Sequence, residues 1–331
     1  MNVSILGAGN WGTTFALLAH RTGHDVTLWE YDKDQAARVA ETRENVKFLA
    51  GYAIPAGIQI TTLLSAAIEN ADVIFLAVPA QHCRSVLHEC RQLRERALLV
   101  SLVKGIEQQS LKRISELCAH ELQGFQAKQF AVLSGPTIAP EVASGLPTSA
   151  VVASSSDQTG QTVQQAFSTR DFRLYTTDDV AGVELAGALK NVIALAAGIC
   201  DGMKLGHNTK GTLVTRGLVE MTRLGESLGG TPATFTGLSG LGDLVTTCTS
   251  GMSRNRNVGE RIGRGQALTT ILNEMVMVAE GVWTSRAAQE LARDCGVIVP
   301  ITDAVCSVLF ENKSPRDAVA DLMLRTLKSE H

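Results

Sequence analysis

The stretch ILGAGNWGTTFA, residues 5–16, decides the fold of the first half of this chain. Gly7, Gly9 and Gly12 follow an apolar run and open a helix-like segment, which matches the pattern G-x-G-x-x-G. In a strand–turn–helix unit these glycines make the tight turn, admit a pyrophosphate to the backbone and allow helix and strand to pack closely. The stretch therefore predicts a dinucleotide-binding turn with the helix N-terminus facing the anion. A turn packed tightly for structural reasons alone is the alternative.

Short β-branched runs alternate with longer helix-like segments from residue 1 to about residue 155, which is typical of a mostly parallel sheet covered by helices. The runs are VSILG, DVTLWE, VIFLAV, LLVSLV, FAVLSG and TSAVVAS. Beyond Asp179 the chain changes to long helical segments rich in Ala, Leu and Gly, beginning with VAGVELAGALKNVIALAAGI. We therefore predict an α/β Rossmann-type domain at residues 1–178, followed by an all-α domain at residues 179–331.

Length and composition agree with two domains, because a single core stops growing at about 250–300 residues and this chain has 331. The net charge of −3 lacks the positive excess that binding to nucleic acid requires. The seven cysteines are scattered, without a Cys-x-x-Cys pair or a histidine at metal-ligand spacing. We expect no metal site, reduced thiols and a cytoplasmic location. We also expect no membrane span, because no apolar run approaches about 20 residues.

The end of the second predicted strand, LWEYD, is the place where the adenine ribose of a dinucleotide would lie. Glu30 could accept hydrogen bonds from a ribose 2′-hydroxyl. A 2′-phosphate would prefer an arginine, and none stands at Glu30, Tyr31 or Asp32. This pattern makes NAD electrostatically plausible. In the alternative, Glu30 points to solvent and Tyr31 merely stacks on the adenine.

Ligands of open α/β sheets bind outside the carboxyl ends of the strands, so the ends of the later runs are candidate sites. One run ends in Val78-Pro79, another places Lys104-Gly105 at its tip, and FAVLSGPTIAPE ends in Ser134-Gly135-Pro136-Thr137. We predict that Lys104 is a site residue. The alternative is a plain surface charge, which is the commoner case for lysine.

Lys190 stands within the first long helical segment of the second half. At helical spacing its neighbours are Gly187, Ala194 and Ala197, a face of small residues that lets a ligand or another backbone come close. Burial would lower the pKa of this lysine toward the range that proton transfer at neutral pH requires. In the alternative, Lys190 buries its stem and extends its charge to water.

A third cluster lies in GLSGLGDLVTTCTSGMSRNRNVGERIGRG, where Gly237, Gly240 and Gly242 stand around one acid, Asp243. The basic segment Ser253-Arg254-Asn255 follows, and Arg and Asn beside exposed backbone can bind a phosphate through charge-assisted hydrogen bonds. The alternative is a solvated helix start with a few arginines. We prefer that alternative for Arg256, Arg261 and Arg264.

Taken in order, these segments resemble the bacterial NAD(P)-dependent glycerol-3-phosphate dehydrogenases over essentially the whole chain. The segments are GAGNWGT, VKGIE at Lys104, SGPT, LKNVIALAAGICDG around Lys190, GLGDLVTTCT around Asp243, SRN and AEG. The resemblance implies a Rossmann-type domain, an all-helical second domain and reversible reduction of dihydroxyacetone phosphate to sn-glycerol 3-phosphate for phospholipid synthesis. It also implies NAD(P)H as the cofactor and a cytoplasmic homodimer without a metal.

The resemblance also assigns roles to individual positions. Lys190 is then the proton donor and acceptor, Lys104 touches both substrate and cofactor, and Asp243 and Lys104 shape the electric field around Lys190. The positions that would bind the substrate are Lys104, Gly135, Thr137, Lys190, Asp243, Ser253, Arg254 and Asn255. The positions that would bind the dinucleotide are Gly7, Gly9, Asn10, Trp11, Gly12, Tyr31, Lys104, Ala139, Arg254, Val278 and Glu280.

The chain departs from this family in two places. Pro140 stands where the family commonly has a lysine, so we assign that position no charged role. Near Glu30 and Tyr31 the family often has a more basic residue or Gly-His, which leaves the choice between NADH and NADPH open. Two rival functions are a two-domain hydroxyacid or sugar-acid dehydrogenase and a dinucleotide-binding redox sensor without turnover.

Overall fold

A computed structural model describes residues 1–91, 93–327 and 329–330 of the chain. Within these residues the strands lie in the first 177 positions, and long helices form the rest. The strands in chain order are β1 (Asn2–Leu6), β2 (Asp25–Trp29), β3 (Glu44–Asn45), β4 (Ala50–Ala53), β5 (Gln59–Thr61), β6 (Val73–Leu76), β7 (Leu98–Ser101), β8 (Phe130–Ser134), β9 (Thr148–Ala153) and β10 (Phe172–Thr177).

Eight of these strands form one sheet in the order β10-β9-β8-β7-β6-β1-β2-β5. Every neighbouring pair runs parallel except β8 and β9, which run antiparallel. Strands β3 and β4 form a separate antiparallel pair. The mostly parallel sheet that the alternating sequence pattern predicts is confirmed.

The six predicted runs form β1, β2 and β6 to β9, whereas sequence reasoning missed the other four strands. Three of the missed strands, β3, β4 and β5, are short and mostly exposed or half-buried, and they contain no continuous run of buried apolar residues. The fourth, β10, lies at the edge of the sheet, where Phe172 and Leu174 are buried and Arg173 and Tyr175 are exposed. Its alternation is that of a half-buried strand, so the signal was present.

Helices cover both faces of this sheet. Along β6, Val73 and Phe75 face one side and the two residues Ile74 and Leu76 face the other, because side chains alternate along a strand. Phe75 packs against Phe15, with ring centroids 4.3 Å apart. The helices of this half are α1 (Asn10–Arg21), α2 (Lys33–Thr42), α3 (Val46–Leu49), α4 (Leu64–Ile68), α5 (Ala80–Cys90), α6 (Ile114–Glu121), α7 (Ala139–Ala143) and α8 (Asp157–Phe167).

The second half of the chain is helical, as the sequence predicts. Its helices are α9 (Val180–Gly202), α10 (Gly206–Ser227), α11 (Pro232–Phe235), α12 (Asp243–Thr249), α13 (Arg254–Gly263), α14 (Leu268–Glu274), α15 (Glu280–Asp294), α16 (Pro300–Phe310) and α17 (Pro315–Met323). A π-helical turn, Leu238–Gly242, leads directly into α12. Turns of this kind often mark functional sites, and here the turn places Asp243.

Helix α9 is the centre of the helical half. In the described part of the chain it is the one helix that is long and apolar enough to cross a membrane, with a mean hydropathy of 1.6. The whole apolar window is buried inside the protein, which identifies α9 as a core helix. The Lys190 side chain on α9 therefore lies in the protein interior, where a charged group needs a partner.

Helices α9 and α13 pack closely through glycines. A Cβ atom added to Gly198 would lie 2.0 Å from the carbonyl oxygen of Arg256, and one added to Gly259 would lie 2.0 Å from that of Leu195. Only glycine permits backbones to approach this closely. The contact fixes the start of α13, which carries Arg254 and Asn255, against α9.

Candidate active site

The glycine turn between β1 and α1 has the features that binding of a dinucleotide requires. Gly7 adopts a positive φ of 115°, which favours glycine. A Cβ atom on Gly12 would lie 1.9 Å from the carbonyl oxygen of Gly7, so the helix can start only with a glycine at this position. A Cβ atom on Gly9 would meet nothing within 4 Å, and the backbone there is open to a ligand.

Two buried polar atoms that belong to predicted cofactor residues have no hydrogen-bond partner among the described residues. They are Nε1 of Trp11 and Oε2 of Glu280. The other oxygen of Glu280 accepts a hydrogen bond of 2.8 Å from the backbone nitrogen of Ala80, at the first residue of α5. Buried polar atoms are normally satisfied, so one donor and one acceptor are available here to a bound group.

The remaining predicted cofactor residues lie around the same groove but differ in how freely they can bind. The Asn10 side chain donates to the carbonyl oxygen of Phe48 at 3.1 Å. Tyr31 is 81% exposed, so its ring is available for stacking. Ala139 is buried at the start of α7, where its carbonyl accepts a hydrogen bond from Thr14 of α1. Glu30 is half-buried, and its Oε1 accepts a hydrogen bond from the backbone of Asp32.

The central feature of the site is one carboxylate held between two ammonium groups. Lys104 Nζ donates to Oδ2 of Asp243 at 2.7 Å, and Lys190 Nζ donates to Oδ1 at 3.0 Å. The sheet supplies Lys104 from the segment after β7, and the helical half supplies the other two residues from α9 and α12. The three predicted catalytic residues therefore meet where the carboxyl edge of the sheet contacts the helices.

The predicted substrate residues Gly135 and Thr137 also accept hydrogen bonds from Lys104. Its Nζ donates to the carbonyl oxygen of Gly135 at 2.8 Å and to Oγ1 of Thr137 at 3.3 Å. With Asp243, Lys104 has three acceptors, which use the donor capacity of an ammonium group. The sequence alternative, in which Lys104 is a plain surface charge, is wrong.

The surroundings of the cluster hold Asp243 in its ionised form and lower the pKa of Lys190. Burial by itself raises the pKa of Asp243, but the charges of Lys104 and Lys190 outweigh it and leave that pKa below its usual value. For Lys190, burial lowers the pKa and Asp243 opposes the change, with the result that the pKa falls to about 8. A group with this pKa can give and take a proton near neutral pH.

Lys190 does not extend its charge to water, because the residue is 6% exposed. The sequence alternative for this residue is therefore wrong. The predicted face of small residues is real at Gly187, where an added Cβ would lie 2.8 Å from Oγ of Ser134 and 3.6 Å from Cγ of Lys104. The missing side chain at Gly187 lets α9 reach the ends of the strands.

Sequence reasoning missed two side chains that hold this cluster. Thr247 accepts a hydrogen bond of 2.7 Å from Lys190 Nζ and stands four residues after Asp243, so helical spacing could have indicated it. Asn191 donates to the carbonyl oxygen of Lys104 at 3.0 Å. No pattern in the sequence separates this asparagine from its neighbours, because its partner lies 87 residues earlier.

The predicted phosphate segment begins helix α13. Ser253 caps this helix and accepts a hydrogen bond from the backbone of Arg256 at 3.2 Å. The Arg254 side chain is exposed and donates to the carbonyl oxygen of Val278 at 2.8 Å. The structure thus brings Arg254 beside two predicted cofactor residues, Val278 and Glu280, and the charge of Glu280 acts on the guanidinium.

Asn255 is buried and uses its side chain inside the protein. Its Nδ2 donates to Oδ1 of Asn191 at 2.8 Å, and its Oδ1 accepts from the backbone of Gly281 at 2.9 Å. Together with the bond from Asn191 to Lys104, this forms a continuous connection from α15 through α13 and α9 to the edge of the sheet. One donor hydrogen of Asn255 is left for a ligand.

Comparison with known families and proteins gives matches along nearly the whole chain. Residues 2–160 match the family model described as NAD-dependent glycerol-3-phosphate dehydrogenase N-terminus, and residues 179–320 match the corresponding C-terminus model. A glycerol-3-phosphate dehydrogenase [NAD(P)+] from Geobacter metallireducens is 49% identical over 99% of this chain and 98% of its own length. The enzyme of that name from Prosthecochloris aestuarii is 47% identical over the full length of both chains.

Among solved structures, the chain is similar to the crystal structure of glycerol-3-phosphate dehydrogenase from Coxiella burnetii. The TM-score is 0.94 and the sequence identity is 36%, with 98% of this chain and 99% of the other covered. The two chains therefore share the whole arrangement of sheet and helices.

Proposed function

This chain belongs to the NAD-dependent glycerol-3-phosphate dehydrogenase family, and we propose on that basis that Lys190 is the proton donor and acceptor of its reaction. The enzyme interconverts dihydroxyacetone phosphate and sn-glycerol 3-phosphate and depends on NAD(P). The observation that carries the role of Lys190 is its burial beside Asp243, with Lys104 on the other oxygen of the same carboxylate.

The residues of the glycine turn fit the cofactor. The open backbone at Gly9 and the start of α1 suit a pyrophosphate, because unpaired backbone N–H groups and the helix dipole both favour an anion. Trp11 and Glu280 offer a buried donor and a buried acceptor that are otherwise unpaired among the described residues. Tyr31 is exposed for stacking on the adenine, and Arg254 donates a hydrogen bond to the carbonyl oxygen of Val278. When bound, the cofactor supplies or accepts the hydride at C2 of the substrate.

Lys190 then meets the charge that develops on the C2 oxygen during reduction. Its ammonium form dominates at pH 7, because its pKa is about 8, and it can donate a proton to that oxygen. In the oxidation direction the neutral amine accepts the proton of the C2 hydroxyl. Asp243 holds Lys190 in place through a hydrogen bond of 3.0 Å, and the charge of Lys104 helps to keep Asp243 ionised. That Lys104 also contacts the substrate stays a prediction from the resemblance.

For the phosphate of the substrate, Arg254 is the residue that the geometry favours, since it is exposed and cationic at the start of α13. The other residues that line the substrate in this proposal are Ser253, Gly135, Thr137 and Asn255. Binding the phosphate orients the reacting carbon, and binding energy far from the reaction centre lowers the barrier in this way.

The two rival functions lack support from specific residues. A hydroxyacid or sugar-acid dehydrogenase needs a site for a carboxylate, whereas the segment Ser253-Arg254-Asn255 suits a phosphate. A redox sensor needs no proton donor, and the buried pair of Lys190 and Asp243 is costly to maintain without one. A fall in NADH or NADPH absorbance on addition of dihydroxyacetone phosphate tests the reaction. No fall with either cofactor, from a protein that binds both, would favour the sensor.

The wider assignments are also proposals. The chain acts as a cytoplasmic homodimer that supplies glycerol phosphate for phospholipid synthesis, and its two domains divide at residue 178. The division is supported by the end of β10 at Thr177 and the start of α9 at Val180, which Asp179 caps. Light scattering coupled to gel filtration tests the dimer, because it measures the mass in solution against 35.2 kDa for one chain.

A further inference from the structure

The adenosine end of the dinucleotide groove carries two carboxylates. Glu30 follows β2, and Asp32 caps α2 by accepting hydrogen bonds from the backbones of Asp34 and Gln35 at 3.0 and 3.1 Å. A carboxylate at this strand end suits the 2′-hydroxyl of NADH and repels the 2′-phosphate of NADPH. If the chain uses NADPH, a cation must therefore reach this place from another segment.

The segment that carries α3 is fixed beside these carboxylates. Asn45 is fully buried; its Nδ2 donates to the carbonyl oxygen of Ala8 at 2.7 Å, and its Oδ1 accepts from Gln35 Nε2 at 2.9 Å. Asn10 donates to the carbonyl oxygen of Phe48 at 3.1 Å. These bonds join α3 to both the glycine turn and the first turn of α2. Helix α3 consequently borders the adenosine end of the groove.

Lys47 lies on α3 and is exposed to solvent. Its Nζ lies 5.0 Å from the centre of the Phe48 ring, in a cation–π contact. Hydrogen bonding from Gln35 chiefly lowers the pKa of Asp32, and the charge of Lys47 lowers it further. Burial raises the pKa of Glu30, and Lys47 acts against this rise. One ammonium group is thus near enough to act on both carboxylates.

Other charged groups around the two carboxylates are placed differently. Arg38 also lowers the pKa of Asp32, but its guanidinium donates to Gln35 Oε1 at 3.2 Å, one turn farther along α2. Lys33 and Asp34 begin α2 and are exposed. Lys47 differs from these residues because it lies on the segment that is anchored to the glycine turn.

From this placement we infer that Lys47 binds the 2′-phosphate of NADPH, whereas with NADH in the groove its charge acts only on Glu30 and Asp32. The inference rests on the dinucleotide site proposed above. A lysine ammonium is a compact charge on a flexible stem, so it can serve either partner. The site then accepts both cofactors without an arginine at the end of β2, and Lys47 sets their ratio.

Calorimetric titration of the full chain with NADPH and with NADH, in the absence of substrate, tests this inference. In Lys47→Gln we expect the dissociation constant of NADPH to rise about five- to thirtyfold, and that of NADH to change less than about twofold, because only NADPH carries the phosphate. The fragment 2′,5′-ADP carries the same 2′-phosphate as NADPH, so its dissociation constant should rise in Lys47→Gln as well. Lys47→Arg retains most of the affinity, since it keeps the charge.

Lys33→Gln is the matched control, because it removes an equally exposed lysine three residues from Glu30. We expect no selective loss of NADPH in this variant. Equal losses for both cofactors in Lys47→Gln, no loss for either, or the same selective loss in Lys33→Gln would overturn the role of Lys47. If the unaltered chain binds neither nucleotide, the dinucleotide site itself is wrong, and the inference falls with it.

A second measurement needs no variant. Because a charge contact is screened by salt, the affinity of the unaltered chain for NADPH should fall more steeply with ionic strength than its affinity for NADH. The difference between the two slopes should shrink in Lys47→Gln. Parallel slopes in the unaltered chain contradict a cation at the 2′-phosphate.

Discussion

Two buried carboxylates of the helical half, Asp243 and Glu220, are set in opposite surroundings. Asp243 lies between the ammonium groups of Lys104 and Lys190. Glu220 has no paired cation among the described residues; it accepts hydrogen bonds from the backbones of Ile301 and Thr302, each at 2.8 Å, at the start of α16. The first carboxylate is ionised by its neighbours, whereas the second caps a helix.

The pKa values follow from this difference. For Asp243 the two lysine charges outweigh burial and lower the pKa, whereas for Glu220 burial outweighs the hydrogen bonds and raises it. Equal burial therefore does not mark a catalytic acid. The neighbouring charges decide whether a buried carboxylate supports chemistry or holds helices together.

The largest expected effect is that of Lys190→Met. The substitution removes the proton donor but keeps much of the stem volume, so turnover should fall by about 10²–10⁴ while NADH binding persists. The unfolding temperature should not fall, because the lowered pKa shows that burial disfavours the charged lysine, and Asp243 still pairs with Lys104. A turnover assay and an NADH titration measure the two properties.

The exposed Lys128 provides the control for this change. Lys128→Met should leave turnover unaltered. Near-normal turnover in Lys190→Met, with intact cofactor binding, would remove Lys190 from the mechanism and leave Lys104 as the next candidate for the acid.

Asp243→Asn should have the next largest effect on turnover. It leaves Lys104 and Lys190 beside each other without a negative charge, so the pKa of Lys190 should fall further below about 8. Less of Lys190 is then protonated at pH 7, and we expect reduction to slow by about 10²–10³. The pH dependence of kcat/KM locates the shifted group, and an unshifted profile would mean that Asp243 does not control the pKa of Lys190.

Arg254→Ala tests whether the phosphate segment is specific. Loss of a charge-assisted contact costs about 1.5–3 kcal/mol, so the KM for dihydroxyacetone phosphate should rise about tenfold to a hundredfold. Arg264→Ala is the matched control, because this exposed arginine on the same helical segment pairs with Glu260. Steady-state kinetics compare the two, and equal effects would indicate a general basic patch.

The pH profile of the unaltered enzyme gives a smaller but direct test. In the oxidation direction Lys190 must be neutral to accept a proton, so kcat/KM for sn-glycerol 3-phosphate should rise with pH through about 8. The rising limb should disappear from the residual activity of Lys190→Met. A limb that persists there belongs to another group.

Glu220→Gln should change stability and leave kcat/KM unaltered, the opposite of the pattern at Asp243. The amide group would place its NH₂ donor against one backbone N–H of α16. The loss of that hydrogen bond should lower the free energy of unfolding by about 1–3 kcal/mol. Because the folded state raises the pKa of Glu220, it binds that proton more tightly than the unfolded chain, and the carboxyl adds stability as the pH falls.

The difference in stability between the unaltered chain and Glu220→Gln should therefore grow from pH 7 toward about pH 4.5. At Asp243 the pKa is lowered, so the corresponding difference for Asp243→Asn should shrink as the pH falls. Denaturant unfolding at several pH values measures both. Trends of the same sign would mean that the two carboxylates do not differ in the way that their surroundings indicate.

Much of the fold was predictable from local patterns. The turn at Gly7, Gly9 and Gly12 could be predicted because helix and strand can pack this closely only where glycine leaves out the side chain. The six apolar runs are readable because parallel strands are buried on both faces. The short strands β3, β4 and β5 were not, since they are mostly exposed or half-buried and contain no continuous run of buried apolar residues.

The sequence by itself also determined which residue types stand at the ends of strands and on the central helix, and the motifs around Lys104, Lys190 and Asp243 indicated the chemistry. Tertiary structure alone decided that these three residues meet, because Lys104 lies 139 residues from Asp243 and Lys190 lies 53. It also decided the pKa values of Asp243 and Lys190. Burial and Coulomb interactions set a pKa through distances, and those distances exist only after the helices have packed against the edge of the sheet.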